Sequence, residues 1–524
     1  MRIPKDTSRL PYLCVLATIC TLYAVMAYLT PPLFDNLGFD AIYMQFNNGN
    51  DTFDAAGFAR YADHLRANDN WRMANLLAPL TTLVFPCKLL FSLLCGICVA
   101  YIVHAAAAGF GRRGRVAAAV AAWAGIIIFL PWRNNILVND YALNYIFPAA
   151  LTLLVIRMAC TQLREPERGR AFALVLLATL AAIWHEGFAV TAGAALIFYI
   201  AVFRRCHAPA AVWAAAALLA VGGMAWALSS ALYSRVGEEI VCPSIVESPA
   251  KALANNALTL ILLAVAALSV VTRPLRRVLA RAAGNPLFVI CFLTALAGCT
   301  LSFAVRLEGR TAFWPETCAV VAAVLWAREL WRPRYKQLTY VLTACLYTAL
   351  AAHGCYAAAY VAHSAREYER IMDEMLRAAA DATIYTDVTM PEQYPAATLG
   401  LPVRNVFLDR FSFIVLDIRY PERRVAVVPS ALRAIGSATP DTLGCAMRIG
   451  NALFCDTAAD EMKWRRARLA ATDLRMRDGS VRLAQRTFVL RFTAPDGRQY
   501  LYLKPYKLSA TDVAEITKIT RLPY

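Results

Sequence analysis

Long apolar runs separated by short charged segments dominate the chain up to about residue 362. A helix of about twenty apolar residues spans the roughly 30 Å hydrocarbon core of a bilayer, so each run is a candidate transmembrane helix. The pattern predicts an all-α membrane bundle of about eleven transmembrane helices. Their expected ranges are 10–30, 88–108, 116–131, 141–160, 171–184, 188–203, 209–230, 256–272, 286–305, 312–328 and 338–361.

The pattern changes after residue 362. Residues 363–382 are amphipathic and charged, and short β-like runs follow, at 383–388, 425–428, 486–492 and 499–503. The dipeptide Asp496-Gly497 between the last two runs indicates a hairpin turn. The sequence therefore predicts a transmembrane domain, residues 1–362, followed by a soluble α/β or α+β domain, residues 363–524.

Composition agrees with a membrane protein and gives its expected topology. Of the 524 residues, 59% are hydrophobic and only 17% are charged, whereas soluble domains are about a quarter charged. The net charge of +17 comes largely from Lys and Arg in alternate loops, which is the positive-inside pattern. We therefore expect no nucleic-acid partner. The expected protein is a multi-pass protein of a bacterial cytoplasmic membrane, with a cytoplasmic N-terminus and a periplasmic C-terminal domain.

The first outer loop, residues 31–75, is long and rich in carboxylates. Asp35 and Asp40 closely follow the first helix, and Asp54 comes later in the loop. A carboxylate at this place could accept a proton from a hydroxyl group, and general-base help of this kind is typically worth about 10²–10⁴-fold. The alternative is a solvated loop in which Asp and Asn side chains make turns.

Further polar residues lie at helix ends on the same expected side. Ionisable groups at membrane depth are functional candidates, and arginine side chains bind phosphate oxygens through two parallel hydrogen bonds. A His–Glu pair bonded to itself, or an Arg–Glu pair closing a tight loop, is the simpler alternative. The residues are Arg72, Asn75, Arg133, Asn134, Asn144, His185, Glu186, Arg306, Glu308 and Arg310.

The cysteine pattern gives little evidence of a metal site. Most of the 15 cysteines occur singly in apolar runs, where cysteine behaves as a small hydrophobic residue, and no zinc-binding spacing is present. Cys445 and Cys455 in the soluble domain could form a disulfide if that domain lies outside the cytoplasm. Two buried core cysteines are the alternative.

In its architecture the chain resembles the GT-C superfamily of polytopic membrane glycosyltransferases, particularly bacterial members. The resemblance rests on Asp35 and Asp40 after the first helix, the Asn-Trp-Arg-Met-Ala-Asn segment at 70–75, the polar outer helix ends and the soluble domain after the last helix. It implies transfer of a sugar from a polyprenyl-phosphate donor to a lipid or glycan acceptor on the outer face.

Roles for single residues are implied by the same resemblance. Asp40 or Asp35 would be the catalytic base, with Asp54 as the next candidate, although the Asp-Asp or Asp-x-Glu pair of some relatives is absent. The pocket for donor or acceptor would contain His185 and Glu186. The groups that hold the donor phosphate would be Arg72, Arg133, Arg306 and Arg310. Further substrate-binding candidates are Asn75, Asn134, Asn144 and Glu308. Some family members require a divalent cation, and this sequence leaves that requirement open.

Two other classes of function remain open at this stage. A transporter or flippase for a lipid-linked glycan would need midplane ionisable residues and broken helices in paired repeats, and the sequence predicts neither. A non-catalytic envelope scaffold would use the outer domain to bind a partner. An O-antigen ligase or polymerase would share the enzymatic interpretation but use a diphosphate-linked donor.

Overall fold

The computed structural model has two compact units, which we describe separately. The first comprises the described residues of 10–30 and 52–362, and the second those of 31–49 and 363–521. The structure describes residues 10–31, 35–49, 52–67, 72–111, 114–132, 136–204, 206–228, 249–304, 309–330, 336–379, 382–386, 425–456, 467–505 and 508–521.

Helices account for almost all of the first unit, and a short one opens the second. The last helix begins in the first unit and continues beyond residue 362. The helices are α1 Leu10–Leu29, α2 Asp35–Phe46, α3 Ala55–Ala67, α4 Met73–Leu83, α5 Phe85–Ala107, α6 Arg115–Phe129, α7 Asn139–Gln162, α8 Arg168–Trp184, α9 Glu186–Phe203, α10 Ala210–Ala227, α11 Pro249–Asn255, α12 Ala257–Val271, α13 Arg273–Ala283, α14 Pro286–Ala304, α15 Phe313–Leu330 and α16 Lys336–Arg377.

The helices indicate a protein that spans a membrane several times. In the described residues, seven helices are long and apolar enough to cross, or eight if α11 and α12 form one bent span. All eleven runs predicted from the sequence coincide with helices, but eleven crossings are not confirmed. The helices α6 and α8 have 15 and 17 residues, which give about 22 and 26 Å at 1.5 Å per residue, less than the hydrocarbon core.

Two predicted loops contain helices. Residues 31–75, expected as a polar outer loop, contain α2, α3 and the start of α4. The arginine-rich segment after α12 forms α13, in which a proline at the second position fits the first turn of a helix. Both segments are too polar to resemble membrane helices, and a search for apolar runs therefore passes over them.

One helix pair is broken within the first unit. The helices α11 and α12 meet at Asn256 with a bend of 79°. The Asn256 amide donates to the Ala252 carbonyl oxygen at 3.0 Å and to Ser302 Oγ at 3.2 Å, which satisfies groups that the break releases. The sequence analysis found no broken helices in paired repeats, and it did not predict this break. Within the described residues this is a single bent pair rather than two in corresponding repeats.

Close helix packing depends on small residues. A Cβ atom added to Gly96 in α5 would lie 2.1 Å from the Cys20 carbonyl oxygen in α1. At Gly193 in α9 it would lie 2.4 Å from the backbone nitrogen of Ala220, in the π-helical turn of α10. Backbones this close need glycine, as is common at helix interfaces in membranes.

The second unit contains two β-sheets. The strands β1 and β2 pair in parallel, and the other seven form an antiparallel sheet in the order β3-β4-β5-β8-β7-β6-β9. The antiparallel topology favours the α+β alternative over α/β. The strands are β1 Thr383–Tyr385, β2 Ala426–Val428, β3 Asp441–Leu443, β4 Ala446–Ile449, β5 Ala452–Asp456, β6 Ala467–Met476, β7 Val481–Thr493, β8 Gln499–Pro505 and β9 Val513–Arg521.

The predicted hairpin at Asp496-Gly497 is confirmed. The strands β7 and β8 pair with Thr493 opposite Gln499, and Gly497 has a φ of +78°, which glycine adopts without steric cost. On one face of the large sheet, alternate apolar side chains form a buried core. This core includes Leu453, Leu474, Val489, Leu503 and Ile516.

The candidate disulfide is not formed in this structure. Cys445 and Cys455 are not bonded to each other; Cys445 is exposed and Cys455 is buried in β5. The Cys445 thiol donates a hydrogen bond to the Ile516 carbonyl oxygen at 3.0 Å. Cys455 belongs to the buried core, in keeping with the alternative that the sequence left open for this residue.

Candidate functional site

Polar side chains from four helix ends meet in the first unit. We call these residues the helix-end cluster. All but Asn144, which is one turn into α7, lie in the first or last turn of a helix or just outside it, where backbone groups lack intrahelical partners and the chain reaches the edge of the apolar region. The cluster comprises Arg72, Asn75, Asn144, His185, Glu186 and Arg310.

The starts of α4 and α7 are joined by hydrogen bonds between asparagines. The Asn144 amide donates to Asn75 Oδ1 at 3.3 Å and to the Asp140 carbonyl oxygen at 2.9 Å. The Tyr61 hydroxyl of α3 donates to the Asn75 carbonyl oxygen at 2.6 Å. The asparagines and Asp140 are almost fully buried. Polar groups buried here are held in fixed orientations by the helices that carry them.

A second asparagine of α7 extends this network. The Asn139 amide donates to the carbonyl oxygen and to Oγ1 of Thr81, at 3.0 and 3.2 Å. The side-chain oxygens of Asn139 and Asn144 are buried and accept no hydrogen bond within the described residues. Unused buried acceptors are costly unless water or a ligand satisfies them.

An ion pair connects α4 to the hairpin between α8 and α9. The Arg72 guanidinium donates to Glu186 Oε1, and the two side chains are 25% and 14% exposed. Glu186 is the first residue of α9, where the helix dipole favours a negative charge. Its second oxygen, Oε2, is buried and has no hydrogen-bond partner in the described part of the chain. One carboxylate oxygen thus holds the arginine and the other is available to a ligand.

His185 joins α8 to α9 with an extended backbone. Its ring stacks on Phe188 at a centroid distance of 4.1 Å, and Tyr145 of α7 lies 5.8 Å away. Nearby, the Trp184 indole donates to the Leu143 carbonyl oxygen at 2.8 Å, which fixes the end of α8 against α7. His185 Nδ1 is buried and finds no hydrogen-bond partner among the described residues.

Aromatic rings surround the histidine. Phe188 stacks on Trp314 at 5.2 Å, and the Trp314 indole donates to Thr191 Oγ1 at 3.0 Å. Tyr145 lies 6.2 Å from Phe188 and 6.4 Å from Phe313. Phe188, Phe313 and Trp314 are almost fully buried, so these rings hold the histidine in place and shield it from water.

Arg310 brings a second positive charge to the start of α7. It lies in the 3-10 turn Gly309–Ala312 before α15, and its guanidinium stacks over the Tyr141 ring at 3.8 Å. This cation–π contact fixes the plane of the guanidinium group beside the start of α7.

The structure brings together six of the site residues predicted from the sequence, namely the helix-end cluster. Asp54 has a structural role, since its Oδ2 accepts the Gly57 backbone N–H at 2.6 Å at the start of α3. Asp40 is buried in α2, which belongs to the second unit. The side chain of Asp35 lies outside the described residues, and so do four further predicted residues: Arg133, Asn134, Arg306 and Glu308.

Sequence reasoning missed the aromatic members of this site. Tyr141 and Tyr145 lie one helical turn apart in α7, on the same side as the predicted Asn144, so a search for polar and aromatic residues on one helix face would have found them. Tyr61 donates to the Asn75 backbone carbonyl oxygen, and Thr81 accepts from the Asn139 side chain. The sequence gives no signal for contacts of this kind.

Metal binding finds no support in the described residues, which contain no group of three or more His, Cys, Asp or Glu side chains placed to hold an ion. Comparison of the chain with protein-family models, curated proteins and solved structures finds no match. The chemistry of the site therefore has to be argued from its own geometry.

Proposed function

We propose that the chain is a GT-C-type membrane glycosyltransferase. In this proposal it transfers a sugar from a polyprenyl-phosphate donor to a lipid or glycan acceptor on the outer face of a bacterial cytoplasmic membrane. The proposed topology has about eleven transmembrane helices and a periplasmic C-terminal domain. The observation that carries the proposal is the helix-end cluster, in which two arginines lie among buried polar atoms that have no partner within the described residues.

The two arginines suit the donor. Glycosyl transfer breaks the bond between the anomeric carbon and the phosphate oxygen, and the departing polyprenyl phosphate takes the electron pair. Guanidinium groups stabilise that developing negative charge. Arg310 is held over the Tyr141 ring, and Arg72 is oriented by Glu186. We assign both to the donor phosphate.

Two buried polar atoms without a hydrogen-bond partner in the described residues are proposed to bind the sugar or the acceptor. Glu186 Oε2 can accept a hydrogen bond from a hydroxyl group, and His185 Nδ1 can donate or accept one according to its tautomer. The acceptor oxygen attacks the anomeric carbon while a carboxylate takes its proton. By the resemblance, Asp40 or Asp35 is the proposed base, and Glu186 is the proposed binding group.

The test compares lipid-linked and envelope glycans by mass spectrometry in cells with the wild-type gene, no gene, or single variants. Asp40→Asn, Glu186→Gln and Arg310→Gln should each abolish or strongly reduce one glycan product at unchanged protein level. Glu165→Gln is the matched control, because that exposed glutamate follows α7 at the end remote from Asn144. An unchanged glycan profile after deletion of the gene would refute the enzymatic proposal.

A second candidate, a transporter or flippase for a lipid-linked glycan, is favoured by one observation. The bent pair α11–α12 has the fully buried Glu316 at its break, and broken helices with ionisable residues are typical of transporter sites. Loss of transport would leave the lipid-linked substrate on the inner leaflet, whereas loss of transfer would leave unused donor on the outer leaflet.

A further inference from the structure

A second polar cluster lies at the other end of α7. It consists of Tyr12 in α1, Tyr101 and His104 in α5, Arg115 in α6 and Arg157 in α7, and we call it the arginine–tyrosine cluster. Arg157 is about 27 Å along α7 from Asn139 at 1.5 Å per residue. The cluster is therefore separate from the helix-end cluster.

The side chains of this cluster are in direct contact. The Tyr12 hydroxyl and His104 Nδ1 are 2.8 Å apart, and Arg157 Nη1 donates to the Tyr101 hydroxyl at 3.4 Å. Arg115 lies over the Tyr12 ring and Arg157 over the Tyr101 ring, each at 5.5 Å. Both arginines are near enough to act electrostatically on Tyr12 and His104.

The cluster has positive charge without a compensating carboxylate. Neither Arg115 nor Arg157 forms an ion pair in the part of the chain that the structure describes. Arg115 Nε is buried and has no hydrogen-bond partner there. Cation–π contacts occupy the faces of the guanidinium groups and leave most of their N–H donors for another acceptor.

Helix geometry strengthens the preference for an anion. Arg115 is the first residue of α6, whose N-cap Gly114 provides no side-chain acceptor. The helix dipole makes this end unfavourable for a cation and favourable for an anion. Arg157 lies inside α7, before its last turn, so the positive-inside rule, which counts loop residues, does not account for it. An arginine within an apolar helix is a functional candidate.

We propose that the arginine–tyrosine cluster binds a phosphate group, supplied by an anionic lipid headgroup or by free phosphate. The two guanidinium groups would donate to the phosphate oxygens, and the Tyr12 and Tyr101 rings would hold the arginines in place from the bundle side. This binding is independent of the proposed sugar transfer, because it uses none of the residues of the helix-end cluster.

The test measures binding by the full-length protein in mild detergent. Native mass spectrometry and thermal shift are recorded with phosphatidylglycerol, phosphatidylcholine or inorganic phosphate. The test variant is Arg115→Gln/Arg157→Gln. Its matched control is Arg168→Gln/Arg277→Gln, since Arg168 is also the first residue of a helix and both control residues are exposed.

The proposal expects a phosphate-bearing ligand to bind wild-type and control proteins about tenfold or more tightly than the test variant, because each lost charge-assisted hydrogen bond is worth a factor of ten or more. Binding of phosphatidylglycerol identifies a lipid headgroup as the source, and binding of inorganic phosphate alone identifies the free anion. Equal binding by test and control variants overturns the proposal. If the glutamine variant does not fold, Arg157→Lys replaces it and should also weaken binding, since lysine lacks the two-pronged donor.

Discussion

Glu316 gives the sharpest test of how the broken helix is held. Its side chain is fully buried at the start of α15, and its oxygens accept the backbone N–H groups of Leu258 at 3.0 Å and Thr259 at 2.9 Å. These are among the first N–H groups of α12, and Asn256 at the N-cap position makes no side-chain cap. Glu316 therefore caps α12 from another helix, as a side chain usually does from the N-cap position.

The substitution Glu316→Gln keeps the size of the side chain and removes one acceptor. Its NH₂ group would face one of the two backbone N–H groups. That hydrogen bond is lost, and the amide N–H and the backbone N–H are both left buried without an acceptor. A hydrogen bond to a charged group contributes about 1.5–3 kcal/mol, and an unsatisfied buried donor costs about 1–3 kcal/mol. We expect the free energy of unfolding to fall by about 3–5 kcal/mol, in the range for breaking one side of a buried polar pair.

The control is in the same helix. Glu329 is 23% exposed and lies 3.5 Å from Arg281 and 3.8 Å from Arg328, and exposed ion pairs contribute about 0–1 kcal/mol. Unfolding of both variants by SDS in mixed micelles, followed by tryptophan fluorescence, gives the two free energies. If Glu316→Gln and Glu329→Gln agree within about 0.5 kcal/mol, the capping role is refuted.

Two further predictions concern packing and thiol reactivity. Gly193→Ala should lower the free energy of unfolding by about 1–3 kcal/mol, because the new Cβ would meet Ala220 backbone atoms at 2.4 Å. Gly222→Ala, with an ordinary 3.5 Å contact, should be neutral or stabilising in the same SDS unfolding assay. Although the Cys445 residue is exposed, partial burial of its thiol raises the pKa of that group. Its alkylation rate should therefore keep rising with pH beyond the range in which a free cysteine saturates, while Cys455 reacts only after unfolding. A native protein in which neither thiol can be alkylated without a reducing agent would instead support the disulfide.

The positions of the helices could be predicted because the bilayer imposes a length and a composition. Every apolar run named from the sequence coincides with a helix. Whether an apolar run crosses the membrane depends on its exact length and on local hydrogen bonds, which mean hydropathy does not report. Arg115–Phe129 is apolar but short, and the bend at Asn256 is set by hydrogen bonds to Ser302 and to the preceding turn. The sequence contains neither proline nor glycine at that break, so the usual signals of a broken helix are absent.

The site could be predicted in part, because polar residues are rare in apolar surroundings. His185, Glu186 and Arg310 stand out against their neighbours in the sequence. Their pairing could not be predicted, since Arg72 and Glu186 are far apart in the chain and meet only when α4 packs near the α8–α9 hairpin. The simpler alternative, in which His185 and Glu186 bond only to each other, does not describe the structure, because Glu186 pairs with Arg72 and His185 stacks on Phe188.

Hydrogen-bond satisfaction distinguishes two capping carboxylates of the first unit from Glu186. Glu316 has both oxygens occupied by backbone donors of α12, and Asp54 accepts from the first turn of α3. Both contacts are explained by helix capping alone. Glu186 differs, because Arg72 occupies one oxygen while the other stays open beside the open Nδ1 of His185. Buried polar atoms without a hydrogen-bond partner destabilise the fold unless water or a ligand satisfies them. For this reason Glu316→Gln should reduce stability and product together, whereas Glu186→Gln should reduce the glycan product with a smaller loss of stability.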